Sequence, residues 1–181
     1  MAILEILTHP HPLLRRTAAP VPRVDDGVRQ LLDDLVETMQ HAGGVGLAAM
    51  QVGDLRAVVI VDVGRRVRED EASTLLEMVN PVVVEQSGGI VWREGCLSVP
   101  GVAAEVERSG RVVVEFLDRS GAIVRHEAEG LEAVAIQHEL DHLQGVLYFD
   151  RLGALEQKLT LQDYERARSG EARSLAAEGE T

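Results

Sequence analysis

Two histidines, His138 and His142, restrict how this chain can fold, because they lie four positions apart in the segment Gln-His-Glu-Leu-Asp-His at 137–142. In a helix this spacing places both imidazoles on one face, where they can share one metal ion. A lone histidine is usually a surface residue or a satisfied core residue. A pair with Glu139 beside it, in an otherwise apolar segment, is difficult to explain by packing. The motif therefore predicts a metal-binding helix.

A metal ion held by two neutral imidazoles needs at least one further protein ligand, and a catalytic site keeps a position open for water. Cys96, the only cysteine of the chain, is the candidate for this ligand. Taken alone, Cys96 would be interpreted as a small buried hydrophobic residue. Its combination with the histidine pair favours a thiolate ligand instead. A single cysteine also excludes an internal disulfide and is typical of a reducing compartment.

The composition is that of one globular domain. Hydrophobic residues make up 45% of the 181 residues, and we expect a single catalytic domain over 1–168 with a flexible polar tail over 169–181. The formal net charge of −12 argues against binding to DNA or other nucleic acid. The first residues lack the pattern of a signal peptide, and no apolar run is long enough to span a membrane, so we expect a cytoplasmic protein.

Apolar periodicity predicts three helices, over 25–42, 131–145 and 155–168. Runs of β-branched residues bounded by Gly, Pro and Asn predict short strands at 57–63, 75–79, 82–85, 90–92, 97–99, 111–117 and 123–128. A polar loop is expected over 64–73, and a proline-rich beginning suggests that His9 and His11 are exposed. We therefore expect an α+β fold in which antiparallel β-sheets pack around a central metal-binding helix, with an N-terminal and a C-terminal helix.

The candidate residues support hydrolytic chemistry. A divalent ion lowers the pKa of a bound water towards about 7, which makes hydroxide available at neutral pH. In motifs of this kind the glutamate acts as a general base, so Glu139 is its candidate here. Gln51, which follows a glycine-rich segment, and a backbone N–H near Cys96 are candidate donors to the oxyanion. These residues together predict a hydrolase for an amide or ester carbonyl.

Three segments of the chain resemble the three signature motifs of the peptide deformylases. They are Gly-Val-Gly-Leu-Ala-Ala-Met-Gln at 44–51, Glu-Gly-Cys-Leu-Ser at 94–98 and Gln-His-Glu-Leu-Asp-His at 137–142. They occur in the same order and with similar separations, and the resemblance covers nearly the whole chain. It implies hydrolysis of the N-formyl group from the initiator formylmethionine of new polypeptides, with release of formate. The substrates would then be N-formylmethionyl nascent peptides.

The resemblance also implies roles for individual residues. Metal binding falls to Cys96, His138 and His142, and proton transfer falls to Glu139. The Gln51 side chain and the Leu97 backbone N–H would stabilise the oxyanion. Hydrogen bonds to an extended substrate are implied for Val45, Gly46 and Gly95, and an apolar pocket for the methionine side chain is implied for Trp92, Leu131, Val134 and Ala135. On spacing alone, the four pocket residues are equally well explained by core packing.

The family usually binds Fe2+, and Zn2+, Ni2+ or Co2+ can replace it; the ligands themselves do not select among these metals. The resemblance further implies the ribosome as a partner, although the expected last helix carries acidic as well as basic side chains. Met50 stands where relatives commonly have Thr or Pro. Ala103 and Ala104 stand where many members carry an Arg or an aromatic residue that contacts the substrate.

Two other interpretations compete with the deformylase. One is a metallopeptidase of the His-Glu-x-x-His type, against which the later Gly-x-x-His ligand pattern is missing and a cysteine ligand would be unusual. The other is a silent relative that binds formylated chain ends or keeps a metal ion for stability alone. A purely structural site would need neither Glu139 nor Gln51 and would normally fill its fourth coordination position.

Overall fold

Three α-helices and seven β-strands make up the computed structural model of the chain, which describes residues 2–64 and 75–178, the last part of α3 by its backbone alone. The helices are α1 (Asp26–His41), α2 (Gly130–Leu143) and α3 (Ala154–Glu178). The strands are β1 (Gly46–Ala48), β2 (Val58–Val61), β3 (Leu76–Ser87), β4 (Ile90–Cys96), β5 (Val99–Arg108), β6 (Arg111–Leu117) and β7 (Ile123–Glu129). Short 3-10 helices lie at Pro12–Arg15, Ala49–Val52 and Tyr148–Arg151.

The strands form two antiparallel sheets. A five-stranded sheet has the order β1-β2-β3-β6-β7, and a two-stranded sheet consists of β4 and β5. All pairings between these seven strands are antiparallel, including the expected hairpin of β6 and β7, in which Val114 lies opposite His126. The predicted α+β architecture with antiparallel sheets is confirmed.

Three features of the strand prediction are wrong: the break between 79 and 82, the strand at 97–99, and the end of the strand at 90–92, which continues to Cys96. Asn80 and Pro81 do not separate two strands, because β3 runs through them and absorbs them in an irregularity of its pairing with β6, where Asn80 has a φ of 52°. The prediction of a strand over 97–99 is wrong because β4 ends at Cys96 and the chain turns before β5 begins at Val99. The expected polar loop lies outside the described residues from position 65 to its end.

Helix α1 follows the predicted pattern closely. The side chain of Asp25 accepts a hydrogen bond of 3.0 Å from the backbone N–H of Val28 and caps the helix. The apolar face of α1 packs against one face of the five-stranded sheet, where Leu32 and Leu35 belong to the same buried cluster as Val58 and Ile60. This cluster supports the sheet from the side opposite α2.

Helix α2 lies against the other face of the sheet. Its Ala133, Ala135 and Ile136 pack among buried side chains of β2, β3, β6 and β7. The helix ends at Leu143, and Gly145 follows with a φ of +70°, at a point where a Cβ would lie only 2.7 Å from the carbonyl carbon of Arg15. Because α2 is covered on nearly all sides, the polar side chains in its middle are held in fixed surroundings.

The ends of the chain contact each other. Residues 2–9 run past α1 towards the beginning of β5. His9 lies against Phe149 and Tyr164. The prediction that His9 and His11 are exposed is wrong, because both are half-buried. Helix α3 continues beyond the expected end at residue 168 and is described as far as Glu178. Within the described ranges, none of the helices combines the length and the apolar character needed to cross a bilayer.

Candidate metal centre

Three potential metal ligands meet at the end of β4. Cys96 is the last residue of that strand, and His138 and His142 project from α2. The Sγ of Cys96 lies 3.2 Å from Nε2 of His142. One donor atom from each of Cys96, His138 and His142 lies within 4.8 Å of the other two. The structure therefore brings together a cysteine and two histidines that are distant in sequence.

A buried carboxylate fixes the ring of His138. Nδ1 of His138 donates to Oε2 of Glu94 at 2.7 Å, which leaves Nε2 of the same ring for a metal ion. Arg108 donates to both oxygens of this carboxylate, from Nε to Oε1 at 2.7 Å and from Nη2 to Oε2 at 3.0 Å. Burial raises the pKa of Glu94, but the hydrogen bonds from His138 and Arg108 outweigh it, so the pKa is lowered and the group stays ionised.

Arg108 also ties this carboxylate back to α2. Its Nη1 donates to Oδ2 of Asp141 at 2.6 Å, and Asp141 forms a second ion pair with Arg151. The side chains of Arg108 and Glu94 are each only 3% exposed. Because the charges of Glu94, Arg108 and Asp141 are mutually paired, they form a buried link between β4, β5 and α2.

His142 has a different environment. Its Nδ1 is buried and has no hydrogen-bond partner among the residues that the structure describes. The two histidines are therefore not equivalent, since only His138 is oriented by a carboxylate. A ligating histidine usually donates its second N–H to a carboxylate, a carbonyl or a water.

Glu139 lies beside this cluster and faces a cavity of about 440 Å³. Burial raises the pKa of its carboxyl to about 7, in opposition to the nearby charge of His138. Its Oε2 is buried without a partner among residues 2–64 and 75–178. Position 46 has to be glycine for this arrangement, because a Cβ there would lie 2.9 Å from both Cγ and Cδ of Glu139.

The Gln51 amide is held from both ends. Its Oε1 accepts a hydrogen bond of 2.8 Å from the backbone N–H of Ala48, and its Nε2 donates to Oγ of Ser98 at 3.1 Å. Nε2 also lies 3.7 Å from Sγ of Cys96. An amide nitrogen carries two N–H groups, so one is used by Ser98 and the other is directed towards Cys96, on the side of the metal centre. Met50, next to it, is fully buried in the core.

All the other predicted site residues line the same cavity. They include the residues predicted to bind the substrate backbone, the residue predicted to supply a backbone N–H, and the four expected in an apolar pocket: Val45, Gly46, Gly95, Leu97, Trp92, Leu131, Val134 and Ala135. Trp92 is 37% exposed, so it borders the cavity from the solvent side and is not a core residue. Ala103 and Ala104 lie on β5, opposite Gly95 and Glu94.

The donor set fits a divalent transition-metal ion. A thiolate sulfur with two imidazole nitrogens is a set that zinc, iron, cobalt and nickel accept. In both rings Nε2 is the nitrogen available to a metal ion, because Nδ1 of His138 is engaged by Glu94 and Nε2 of His142 faces Cys96. Three protein ligands of a tetrahedral ion leave the fourth position for water or substrate, as a hydrolytic site requires.

Sequence reasoning assigned no role to Glu94, Ser98, Arg108 or Asp141. Glu94, Ser98 and Asp141 lie inside the three motifs, so their position next to candidate ligands could have suggested a supporting role. Arg108 carries no such signal, because it is one of many arginines on a strand and only the fold brings it to Glu94 and Asp141.

Comparisons with known proteins show similarity over most of the chain. The sequence profile of the family described as Polypeptide deformylase matches residues 3–158. The peptide deformylase of Alkalilimnicola ehrlichii is 46% identical over 166 residues, which cover 92% of this chain and 91% of that relative.

Solved structures of the same family superpose on most of the chain. A peptide deformylase from Legionella pneumophila has a TM-score of 0.85 and 37% identity, covering 95% of this chain and 99% of that one. A peptide deformylase from Ehrlichia chaffeensis in complex with actinonin has a TM-score of 0.85 and 33% identity, covering 94% of this chain and 99% of that one.

Proposed function

Because the chain belongs to the peptide deformylase family, we propose that Cys96, His138 and His142 bind the divalent metal ion with which it acts. The reaction of the family, and of this chain, is hydrolysis of the N-formyl group of nascent peptides, with release of formate. The observation that carries the residue assignment is the meeting of three donor atoms within 4.8 Å of one another. A divalent ion in this place supplies a Lewis acid that lowers the pKa of a bound water towards about 7.

Glu139 is the residue that we assign to proton transfer. Its buried Oε2 has no partner among the described residues, so it is free to accept a proton from the attacking water. The water oxygen forms the new bond to the formyl carbon, and the bond from that carbon to the peptide nitrogen breaks. Glu139 then returns the proton to the departing nitrogen, so that the products are formate and a free amino terminus.

Two donors are assigned to the formyl oxygen, on which negative charge develops during attack. One is the Nε2 of Gln51, whose orientation is set by Ala48 and Ser98. The other is the backbone N–H of Leu97, in the turn between β4 and β5. Removal of a single donor of this kind typically costs about 100- to 1,000-fold in kcat.

The peptide part of the substrate is assigned to the space between two sheet edges. β1 is an edge strand of the five-stranded sheet, and β4 belongs to the two-stranded sheet. Val45, Gly46 and Gly95 line the cavity at these edges, where backbone groups can pair with an extended chain. The methionine side chain then enters the apolar part of the cavity, which is lined by Trp92, Leu131, Val134 and Ala135.

Fe2+ is the metal that we propose for the cell, with Zn2+, Ni2+ or Co2+ able to replace it. An Fe2+ site with a thiolate ligand is sensitive to oxygen, since both partners can be oxidised. We expect the iron form to lose activity in air while a Ni2+ form prepared in parallel keeps it. Equal survival of the two forms in air would contradict iron with a thiolate ligand.

We also propose that the catalytic unit is a single domain within residues 1–168, that the enzyme acts in the cytoplasm, and that it meets its substrates at the ribosome. The ribosome proposal is supported by Leu155 and Leu159, which are 70% and 50% exposed on α3. Replacement of both leucines by Asp should reduce co-sedimentation with purified ribosomes without changing formate release from a short peptide. Unchanged co-sedimentation would exclude this face of α3.

Formate release separates the proposed function from a peptidase. The metal-loaded protein should release formate from formyl-Met-Ala-Ser and leave unformylated Met-Ala-Ser intact. Actinonin, which is bound in the relative from E. chaffeensis, should compete with the formylated peptide. Cleavage of the unformylated peptide would favour the metallopeptidase. Glu139→Gln should keep its metal but lose at least about 100-fold in kcat. The exposed Glu129→Gln serves as the matched control.

A further inference from the structure

Residues 7–9 connect the two parts of the structure that supply the proposed oxyanion donors. The backbone N–H of Leu7 donates to the carbonyl of Gln51 at 2.7 Å. Two residues later, the backbone N–H of His9 donates to the carbonyl of Ser98 at 2.8 Å. A single extended segment therefore contacts the 3-10 helix that bears Gln51 and the turn that bears Leu97 and Ser98, directly after Cys96.

This connection matters because the two donors belong to different sheets. Gln51 follows β1 of the five-stranded sheet, whereas Leu97 lies in the turn of the two-stranded sheet. Both have to point at one oxygen atom, and a misplacement of about 1 Å can cost roughly 100-fold in rate. The side-chain bond from Gln51 Nε2 to Ser98 Oγ, at 3.1 Å, also crosses this gap, but it occupies one of the two N–H groups of the amide that must serve the substrate.

The segment is itself held from the far side. The hydroxyl of Tyr164, on α3, donates to the carbonyl of His9 at 2.8 Å. The ring of His9 lies between those of Phe149 and Tyr164, with centroids 5.3 Å and 5.8 Å away. Tyr164 is 1% exposed, so its hydroxyl is fixed by the packing around it. The connection thus continues from α3 through His9 to Ser98.

We propose that residues 7–9 are a brace that sets the distance between the Gln51 amide and the Leu97 N–H, and that Tyr164 is a positioning residue that acts through His9. The inference rests on the proposed roles of Gln51 and Leu97. The brace contributes backbone N–H groups, so side-chain identity at positions 7 and 9 is secondary to the path of the chain. Loosening it lowers kcat, while metal binding, which depends on His138, His142 and Cys96, is preserved.

The test removes a single backbone N–H group from each altered protein. Replacement of Leu7 by its α-hydroxy acid exchanges the backbone N–H for an ester oxygen and deletes the bond to Gln51. The matched control is the same replacement at Leu4, whose N–H donates to Oγ1 of Thr38 on α1 at 2.9 Å. Both proteins lose one hydrogen bond of similar length from residues 2–9, so a general loss of stability affects them alike.

For the Leu7 ester we expect kcat to fall about tenfold, with KM and the metal dissociation constant within twofold of the unaltered protein. The Leu4 ester should keep its kcat. Tyr164→Phe, which retains the ring, should lower kcat about two- to threefold. Equal kcat values for the Leu7 and Leu4 esters, or a Leu7 effect confined to KM or to metal content, would overturn the brace.

A second readout does not need turnover. In the Zn2+-loaded protein with ¹⁵N-labelled glutamine, the side-chain amide signal of Gln51, identified by its loss in Gln51→Glu, should shift and broaden in the Leu7 ester and not in the Leu4 ester. An unchanged signal would contradict the brace whatever the activity. Failure of the unaltered protein to release formate would refute the proposed function instead, so the two failures are distinguishable.

Discussion

Replacement of Glu94 by Gln should weaken metal binding by roughly 10- to 100-fold, because Glu94 is the group that orients His138. The carboxylate accepts one hydrogen bond from His138 and two from Arg108, at 2.7 to 3.0 Å. A glutamine has one acceptor oxygen and one NH2 group. If the amide oxygen takes the place of Oε2 and faces His138, the NH2 group faces the Nε–H of Arg108. If the amide is reversed, His138 loses its acceptor.

The magnitude follows from the bonds at stake. A hydrogen bond to a charged group contributes about 1.5–3 kcal/mol, and each tenfold change in a dissociation constant corresponds to about 1.4 kcal/mol. Loss of one such bond between Glu94 and His138 therefore corresponds to about one to two powers of ten in metal affinity. The side chain of Glu94 is only 3% exposed, so water cannot replace the lost partner.

Competition with a chelator of known affinity measures the Zn2+ dissociation constant, and urea unfolding of the metal-free protein measures stability separately. Glu105→Gln is the matched control, since Glu105 is an exposed carboxylate on the neighbouring strand. A folded Glu94→Gln protein whose zinc dissociation constant stays within twofold of the unaltered value would refute the reasoning. It would mean that packing alone orients the ring of His138.

Three further predictions concern other parts of the site. Gly46→Ala should lower kcat for formate release at least about tenfold, because the new Cβ would displace Glu139, the proposed base. The control Gly89→Ala should keep its kcat, because no atom lies within 4 Å of the new Cβ. Arg108→Gln should lower the free energy of unfolding by about 3–5 kcal/mol, and the exposed Arg125→Gln by less than about 1 kcal/mol; urea titration measures both. Cys96→Ser should lose zinc on dialysis, as measured by metal analysis; full retention would remove the thiolate from the ligand set.

The elements with strong local signals could be predicted from the sequence. The 3.6-residue periodicity of Leu31, Leu32 and Leu35 identified α1, and the apolar run around His138 and His142 identified α2. These patterns suffice because each helix buries a face that its own sequence displays. The meeting of Cys96 with the two histidines is different, since chemistry alone suggested it: two imidazoles call for a third ligand and the chain has one thiol.

Features that depend on pairing between distant segments could not be predicted. Asn80-Pro81 is a typical break between strands, yet β3 continues through it because β6 pairs on both sides of the irregularity. His9 is a polar residue next to Pro10 in a proline-rich stretch, which predicts exposure, but the rings of Phe149 and Tyr164 lie against it in the fold. Arg108 shows the same limit, because the register of β4 with β5 places it opposite Ile90, and only the fold brings its side chain to Glu94.

The candidate site is built at the junction of elements, and this determines how it responds to change. His138 comes from α2, Cys96 from β4 and Gln51 from the 3-10 helix after β1, so no single element fixes their mutual geometry. Two separate sets of contacts do so. The buried charges around Arg108 orient the candidate metal ligand His138. The backbone hydrogen bonds of residues 7–9 join the two parts of the chain that bear the proposed oxyanion donors, Gln51 and Leu97. Because the two sets share no residue, their effects should be independent. A protein that combines Glu94→Gln with the Leu7 ester should therefore show the product of the two separate effects, both on metal affinity and on kcat. A combined loss well beyond that product would mean that the two sides of the site move together.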